Sequence, residues 1–358
     1  ANVSGPCTYA AANANCAGAC LAGFVLVNGV CVAIVNGCTN PLATNYNAAA
    51  NVDNDSCTLP TTVTKEYGFN PDHISRFDAL VVQDNGGRFK PVHTLTSEYL
   101  RKIYGKDNFE NQTATEVILA MMYNPVNWSK KPIITVSHPK LRTLLGSNDI
   151  DSKNIRVSFN DFFDANGQYL LAKDVELSYE KLPKDRDQYD KDLIKVDDRV
   201  NICFAIYGSG IFRFFPLPND SNNTWLTDMQ SSEFRGNDSL FVSNIIPMYF
   251  QGVKEGLETN NWTTADTIIS YIQKFQLRYG AEVLPSQTKI DLEITYNKLK
   301  IFSRLFLFYF LVGVLLLTVI IISLFNNNKW ITLLIQLFKW LIIVGFIVHI
   351  AGLALRWY

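Results

Sequence analysis

The chain has 358 residues, a formal net charge of −1 at pH 7 and a hydrophobic content of 48 %. This length accommodates two or three compact units, and the near-zero charge argues against nucleic acid as a partner, because polyanion binding needs a strongly basic surface. The averages conceal unlike regions. Residues 1–60 hold six of the seven cysteines and no Lys or Arg, whereas residues 301–358 hold four basic residues and no acidic one.

The first 60 residues are predicted to form a small disulfide-rich module. Cysteines this dense, among small and amide side chains, indicate a disulfide framework in an oxidising compartment. Six cysteines permit fifteen pairings, and their spacing does not choose among them. The disulfide candidates are Cys7, Cys16, Cys20, Cys31, Cys38 and Cys57. We therefore expect residues 1–300 to lie outside the cytoplasm.

Part of this module, Gly37 to Cys57, resembles a short Cys-bounded segment of secreted proteins from Bacteroidetes-type bacteria. Within it, Asn51, Asp53 and Asp55 place oxygen-bearing side chains at alternating positions, a pattern that can ligate calcium. The glycine and glutamate that complete an EF-hand loop are missing. Asx-turns in a disulfide-stapled loop are the favoured interpretation, and a calcium site is the alternative.

A polar linker, residues 61–66, precedes a mainly-α domain with a little β-structure, predicted for residues 67–300. Its first motif is a strand over Ala79–Gln83, a tight turn through Asp84-Asn85-Gly86-Gly87 and a return strand over Arg88–Lys90. Thr94 or Thr96 is expected to cap the following helix, which the glycine at position 105 ends.

Further along this domain, the apolar spacing predicts mostly helix. Helices are expected at Thr115–Tyr123, within 173–207 and across 232–256 and 262–281, with a short strand in "PIITVS" and a helical turn in "HPKLRTLLG". The segment from Ser286 to Lys300 is predicted to continue unbroken into the next apolar helix.

The last 58 residues are predicted to form a two-helix transmembrane hairpin, with spans at 301–325 and 330–358 and a short cytoplasmic loop at 326–329. Leu305–Phe325 carries no charge over 21 residues, and a helix of about 20 residues crosses the ~30 Å hydrocarbon layer. In the second span Lys339 can reach back to the headgroups, and Arg356 and Trp357 would lie at the opposite face. Because the positive-inside rule does not decide the orientation, the cysteines are the guide.

Five stretches, taken in their order along the chain, resemble a known family. They are "LVVQDNGGRFKPVHTLTSEYLRKI", "MMYNPVNW", "FRFFPLPND", "YGAEVLPSQTKIDLEITYNKLKIF" and "HIAGLALRWY". In this order they resemble the fused ResB/CcsA-type, system II cytochrome c biogenesis proteins of Bacteroidetes, over roughly Tyr67 to Tyr358. The resemblance implies a bacterial inner-membrane protein with its large domain in the periplasm.

The resemblance further implies part of a cytochrome c synthetase, which delivers haem and attaches it covalently to apocytochrome c. The expected partners are membrane lipid, apocytochrome c and the remaining ResB/CcsA-like membrane segments. The family's tryptophan-rich haem-handling segment does not occur in this sequence, so its haem ligands are not carried over and the enzyme assignment stays open. We expect a mature or fragmentary chain that acts as periplasmic scaffold and membrane anchor.

Candidate haem-binding residues are His349, Arg356 and Trp357, because ionisable groups within or beside a span are often functional. The alternative for His349 is a neutral ring that bonds to a neighbouring helix. Arg88, Lys90 and His93 are candidates for contacts with haem propionates or a partner. The favoured alternative for Arg88 and Lys90 is a solvated charged face, and for His93 it is an exposed position at the start of a helix.

Catalytic signatures are missing from the sequence. It contains no Gly-x-Ser-x-Gly elbow, phosphate-binding Gly-Lys loop or His-Glu-x-x-His run. Cys203 is flanked by apolar residues and is predicted to be a buried core thiol. The second function class that fits the sequence is a membrane-anchored surface binding or adhesion protein that acts through its Cys-rich head.

Overall fold

The structure, a computed structural model, describes residues 20, 22–27, 30–37, 45, 47–54, 56, 67–146, 154–326 and 328–357. The chain divides into two compact units, Ala1–Thr64 and Lys65–Tyr358. In the first unit, β1 (Phe24–Val27) pairs antiparallel with β2 (Val30–Ala33), and β3 (Asn36–Gly37) pairs parallel with β4 (Val52–Asp53).

A disulfide in this first unit joins Cys20 to Cys31, with the two Cα atoms 5.5 Å apart. This confirms a disulfide in the Cys-rich module and identifies one bond of the framework. The other candidates, Cys7, Cys16, Cys38 and Cys57, lie outside the described residues.

The second unit is rich in helices, as predicted. Its helices are α1 (Pro71–Asp78), α2 (Val92–Tyr104), α3 (Ala114–Tyr123), α4 (Pro125–Trp128), α5 (Pro139–Leu144), α6 (Ala172–Glu180), α7 (Gln188–Tyr207), α8 (Asn237–Thr259), α9 (Thr263–Gly280), α10 (Gln287–Leu299), α11 (Ile301–Phe325) and α12 (Lys329–Trp357). Two 3-10 turns lie at Asn160–Phe162 and Asp228–Glu233.

The β-structure of this unit consists of short antiparallel pairs. These are β5 (Val81–Gln83) with β6 (Phe89–Pro91), β7 (Asn108–Phe109) with β8 (Gln112–Thr113), β9 (Ile134–Val136) with β10 (Ile155–Val157), and β11 (Phe215–Pro216) with β12 (Trp225–Leu226).

The predicted turn between β5 and β6 is present. Asp84 Oδ1 accepts from the backbone N–H of Gly86 at 2.8 Å and of Arg88 at 3.0 Å, and Gly87 adopts φ +82°, which glycine accepts without strain. The predicted cap of the next helix is wrong. Because α2 begins directly after Pro91, Thr94 and Thr96 lie inside the helix, and no side chain caps it.

A buried hydrogen-bond chain ties α1 to α8 and α9. His73 is 1 % exposed, and its Nδ1 lies 2.8 Å from Asp266 Oδ1 while its Nε2 lies 3.0 Å from the Tyr249 hydroxyl. Burial lowers the pKa of His73, so the ring is neutral at pH 7. These partners assign the proton to Nδ1, which donates to Asp266, while Tyr249 donates to Nε2. The ring therefore acts as a structural link.

Helices α11 and α12 are long and apolar enough to cross a membrane, and they pack against each other. Their apolar side chains remain largely exposed, with Phe306 75 % and Leu324 77 % exposed, which argues against core helices of a soluble protein. A Cβ built on Gly345 would lie 2.9 Å from the rings of Phe308 and Tyr309, so the glycine permits close packing of the pair.

The predicted continuous helix across the domain–membrane junction is interrupted. Lys300 has φ 48° and ψ 45°, a left-handed conformation that separates α10 from α11. The Lys300 Nζ donates to Asp107 Oδ1 at 2.8 Å, in the segment between α2 and β7. The ion pair and the left-handed conformation, which a lysine rarely adopts, therefore occur at the same residue, where the domain ends and α11 begins.

The crossing of α8 and α9 generates a stability prediction. A Cβ on Gly252 would lie 2.7 Å from the backbone nitrogen of Ala265. A backbone atom cannot move away as the end of a flexible side chain can, so the clash would strain the crossing. Gly252→Ala should therefore lower the free energy of unfolding by about 1–3 kcal/mol, measured by denaturant titration in detergent. Gly313→Ala is the matched control in α11, since nothing lies within 4 Å of its Cβ. Equal effects of the two substitutions would contradict the close approach.

Candidate functional site at a membrane-proximal cleft

A cleft of about 640 Å³ lies within the domain, on the side where α10 ends. It is bounded by α1, the first turn of α2, the β7–β8 hairpin, the start of α3 and the end of α10. Its lining brings together Asp78, His93, Gln112, Thr115, Asn297 and Lys298, among others. Only the tertiary fold makes these residues neighbours, since they come from five separate elements.

The carboxyl group of Asp78 is buried at the back of the cleft, with the residue 5 % exposed. Burial raises the pKa of Asp78 to about 6, while a hydrogen bond from Thr115 and the nearby Lys298 oppose this rise. The Thr115 hydroxyl donates to Asp78 Oδ1 at 2.5 Å and lies 2.8 Å from the Thr96 hydroxyl. The carboxyl thus changes its charge within a physiologically accessible pH range.

His93 is half-buried on α2 and borders the same cleft, which corrects the expectation of an exposed helix-start residue. Burial lowers the pKa of His93 to about 4, and the charges of Lys298 and Arg101 lower it further, so the ring is neutral at pH 7. Among the described residues, neither His93 Nδ1 nor the Nε2 of the buried Gln112 has a hydrogen-bond partner. Because unpaired buried polar groups are costly, ordered water or a ligand would complete these two.

The two cations predicted beside His93 are engaged in ion pairs. Lys90 is 4 % exposed, so the predicted solvated face is wrong for this residue, and its Nζ lies 2.7 Å from Asp84 Oδ2 and 2.8 Å from Glu98 Oε2. Arg88 is exposed, and its Nη2 lies 3.0 Å from Glu293 Oε1 of α10. Both cations therefore hold the hairpin and α10 in place, and of the three candidates only His93 lines this cleft.

The candidates in the second span are only partly described. The His349 ring makes an edge contact with Phe302 of α11, with centroids 5.2 Å apart. Arg356 and Trp357 belong to the helix by their backbone, but their side chains lie outside the described residues. Haem binding by these three residues stays a prediction.

The calcium candidates are also partly described. Asn51 Oδ1 accepts from the backbone of Val35 at 2.8 Å, and Asn51 Nδ2 donates to Ala33 at 2.7 Å, so its amide braces neighbouring backbone. The Asp53 side chain and all of Asp55 lie outside the described residues. In the described part of the chain, no three His, Cys, Asp or Glu residues are grouped to hold a metal ion.

Sequence reasoning did not select Asp78, Gln112, Asn297 or Lys298. No sequence motif surrounds these residues. Their neighbours in space are distant in sequence, since Asn297 of α10 donates a hydrogen bond of 2.8 Å to Thr94 of α2, 203 positions away. The only local signal was the basic and histidine content of the β6–α2 segment. The resulting cleft can accept a polar partner segment through its unpaired ring nitrogen, its unpaired amide and its carboxyl groups.

The raised pKa of Asp78 predicts a pH-dependent stability. Because the folded pKa of about 6 exceeds the ordinary 3.8, the stabilisation by the protonated carboxyl is complete below pH ~4 and is lost as the pH rises through 6. Asp78→Asn still accepts from Thr115 but does not ionise. Its free energy of unfolding relative to wild type should therefore rise by up to about 3 kcal/mol between pH 4 and 7.

Denaturant titrations at pH 4 and pH 7 measure this difference. The contribution of His93 to stability has the opposite pH dependence. It is present above pH 6.5, the ordinary pKa of histidine, and is lost as the pH falls through about 4. Because the variant and the wild type both contain His93, this contribution cancels in their difference. Asp72→Asn, on the exposed face of α1, is the matched control. A pH-independent difference for Asp78→Asn would contradict the assignment.

Comparison with known proteins gives one informative relative. No protein-family model matches the chain. The chain is 36 % identical over 265 residues to Protein NrfI of Wolinella succinogenes, which covers 71 % of this chain and 27 % of that protein. The chain therefore spans about a quarter of the length of the curated relative it matches.

This similarity corrects the resemblance drawn from the sequence blocks. The assignment to the fused ResB/CcsA-type proteins is wrong, because the long alignment is with Protein NrfI. The blocks are short, and their order alone did not identify the correct relative. The chain is similar to Protein NrfI over most of its own length.

Proposed function

We propose that this chain is the extracytoplasmic scaffold and membrane anchor of a cytochrome c maturation protein, which takes part in haem delivery and covalent attachment of haem to apocytochrome c. The carrying observation is the 36 % identity to Protein NrfI over 265 residues, which supports a role in cytochrome c maturation. Cofactor and partner follow from that role. Haem is the cofactor of the whole process, and apocytochrome c and membrane lipid are the partners.

The anchoring part of the proposal is supported by the contacts of α10. Two polar links join this helix to the domain, Glu293 with Arg88 and Asn297 with Thr94, and a third joins Lys300, the residue after the helix, to Asp107. At the other end of the hairpin, Leu355 of α12 borders a cleft that also involves β6 and α10. Both ends of the hairpin thus contact the domain, as a scaffold bound to one face of a membrane requires.

The compartment is supported by the disulfide between Cys20 and Cys31. Disulfides persist in oxidising compartments such as the periplasm and are rare in the cytosol. We place the large domain on the periplasmic side of the inner membrane, where c-type apocytochromes receive haem. The short loop between α11 and α12 then faces the cytoplasm.

Within this role, we assign partner contact to the cleft that contains His93. A neutral ring with an unpaired nitrogen can bond to a polypeptide segment or to a haem substituent, and Gln112 offers a second unpaired donor beside it. Cys203 is unsuited to thiol chemistry, since it is fully buried and its burial raises its pKa to about 12. The contribution that we propose for this chain is to hold and orient the partner at this cleft.

Deletion of the gene in its own bacterium should abolish covalent haem staining of c-type cytochromes, and the wild-type gene in trans should restore it. His93→Ala should restore about five-fold less, the equivalent of one lost hydrogen bond of about 1 kcal/mol. His138→Ala is the control, because His138 caps α5 by accepting from the backbone N–H of Lys140 and does not line the cleft.

A gene that lacks residues 1–60 separates the proposed role from the alternative of a surface binding protein that acts through its Cys-rich head. Restored cytochrome staining by the headless protein would support the scaffold role of the second unit. Unchanged cytochrome staining in the deletion strain would contradict cytochrome c maturation altogether.

A further inference from the structure

A second cleft, of about 560 Å³, lies at the junction of the domain with the first turn of α11. One side is formed by the end of α2 and the segment before β7, which contribute Arg101, Lys106 and Asp107. The other side is formed by Lys300, Ile301 and Phe302. The cleft is therefore cationic toward the domain and apolar toward the membrane helix.

The height of this cleft relative to the membrane follows from the sequence of α11. Arg304 lies in the first turn, where its backbone N–H donates to the Lys300 carbonyl at 3.2 Å, and no charged residue follows it through Phe325. An arginine at the start of such a stretch lies at the level of the headgroups, because its charge stays hydrated while the helix enters the hydrocarbon. Ile301 and Phe302 precede it by less than one turn, so the cleft opens at the same level.

The charges around the cleft are not balanced. Asp107 is the one acidic residue in its described lining, and it pairs with Lys300 at 2.6 Å. In the part of the chain that the structure describes, the exposed cations Arg101, Lys106, Lys298 and Arg304 have no acidic partner in an ion pair. Arg101 and Lys106 line this cleft, Lys298 lines the cleft beside His93, and Arg304 lies in the first turn of α11; these four residues are called the junction cations.

We propose that the junction cations and this cleft bind the headgroup of an anionic phospholipid from the leaflet on the domain side. Guanidinium and ammonium groups are suited to a phosphodiester, and each basic residue near an anionic surface contributes about five-fold in affinity, or about 1 kcal/mol. The acyl chains would lie along α11, where Phe306 is exposed to 75 %. A free phosphate ion would use the cations but would gain nothing from Ile301, Phe302 and Phe306.

The site would fix the domain at a set height above the bilayer. The αL break at Lys300 turns the chain at the level of the cleft, so a bound headgroup would contact the domain, the break and the membrane helix together. This lipid site does not depend on the proposed role in cytochrome c maturation. It depends on the insertion of α11 and α12 into a membrane.

Native mass spectrometry of the full chain, released from nanodiscs that contain equal amounts of phosphatidylglycerol and phosphatidylcholine, tests the site. Wild type should retain phosphatidylglycerol in preference to phosphatidylcholine. Arg101→Gln combined with Lys106→Gln should reduce this preference at least about five-fold. The matched control is Lys173→Gln combined with Lys184→Gln, two exposed cations that do not line the cleft, and it should retain the wild-type preference.

Equal preferences in wild type and the Arg101/Lys106 variant would overturn the proposal. So would displacement of phosphatidylglycerol by millimolar inorganic phosphate, because the ligand would then be the free anion. Circular dichroism in detergent tests whether both variants are folded. If the Arg101/Lys106 variant unfolds, Lys106→Gln alone replaces it, with a smaller expected reduction of the preference for phosphatidylglycerol.

Discussion

The ion pair between Lys300 and Asp107 lies at the point where the membrane hairpin is attached to the domain, and it is one of several contacts that make this attachment. Lys300 is the single residue between α10 and α11, and its backbone adopts the left-handed conformation. Exposed ion pairs contribute only about 0–1 kcal/mol, so this pair does not hold the junction alone. It acts with the Arg88–Glu293 pair, the hydrogen bond between Asn297 and Thr94 and the burial of Ile290.

This attachment has a consequence for the surface of the molecule. Helix α10 has one buried residue, Ile290, and its side chains border the cleft beside His93 and the cleft beside Arg101 and Lys106. Lys300, the residue after the helix, is in the lining of both clefts. The loose packing that weakens α10 as a core element makes it suitable as a boundary for partner segments and lipid headgroups.

Local chemistry made part of this arrangement predictable. The Asp84–Gly87 turn and the end of α2 at Gly105, with φ +85°, follow from residues that accept these conformations at low cost, and the charge-free stretch of α11 follows from composition. The break at Lys300 was not predictable from local sequence, because no glycine or proline marks it and the ion-pair partner of Lys300, Asp107, lies 193 positions away. The burial of Lys90 and the cleft around Asp78 likewise depend on contacts between distant elements, which hydrophobic spacing does not encode.

We propose that the domain and both ends of the hairpin lie outside the cytoplasm, the side that the disulfide between Cys20 and Cys31 favours. Labelling with a membrane-impermeant maleimide in spheroplasts tests it directly, with Thr295→Cys on the exposed face of α10 and Asn326→Cys at the end of α11. The account predicts that Thr295→Cys is labelled in intact spheroplasts above the level of the parent chain, and that Asn326→Cys is labelled only after permeabilisation. The reverse pattern would place the domain in the cytoplasm and contradict the account.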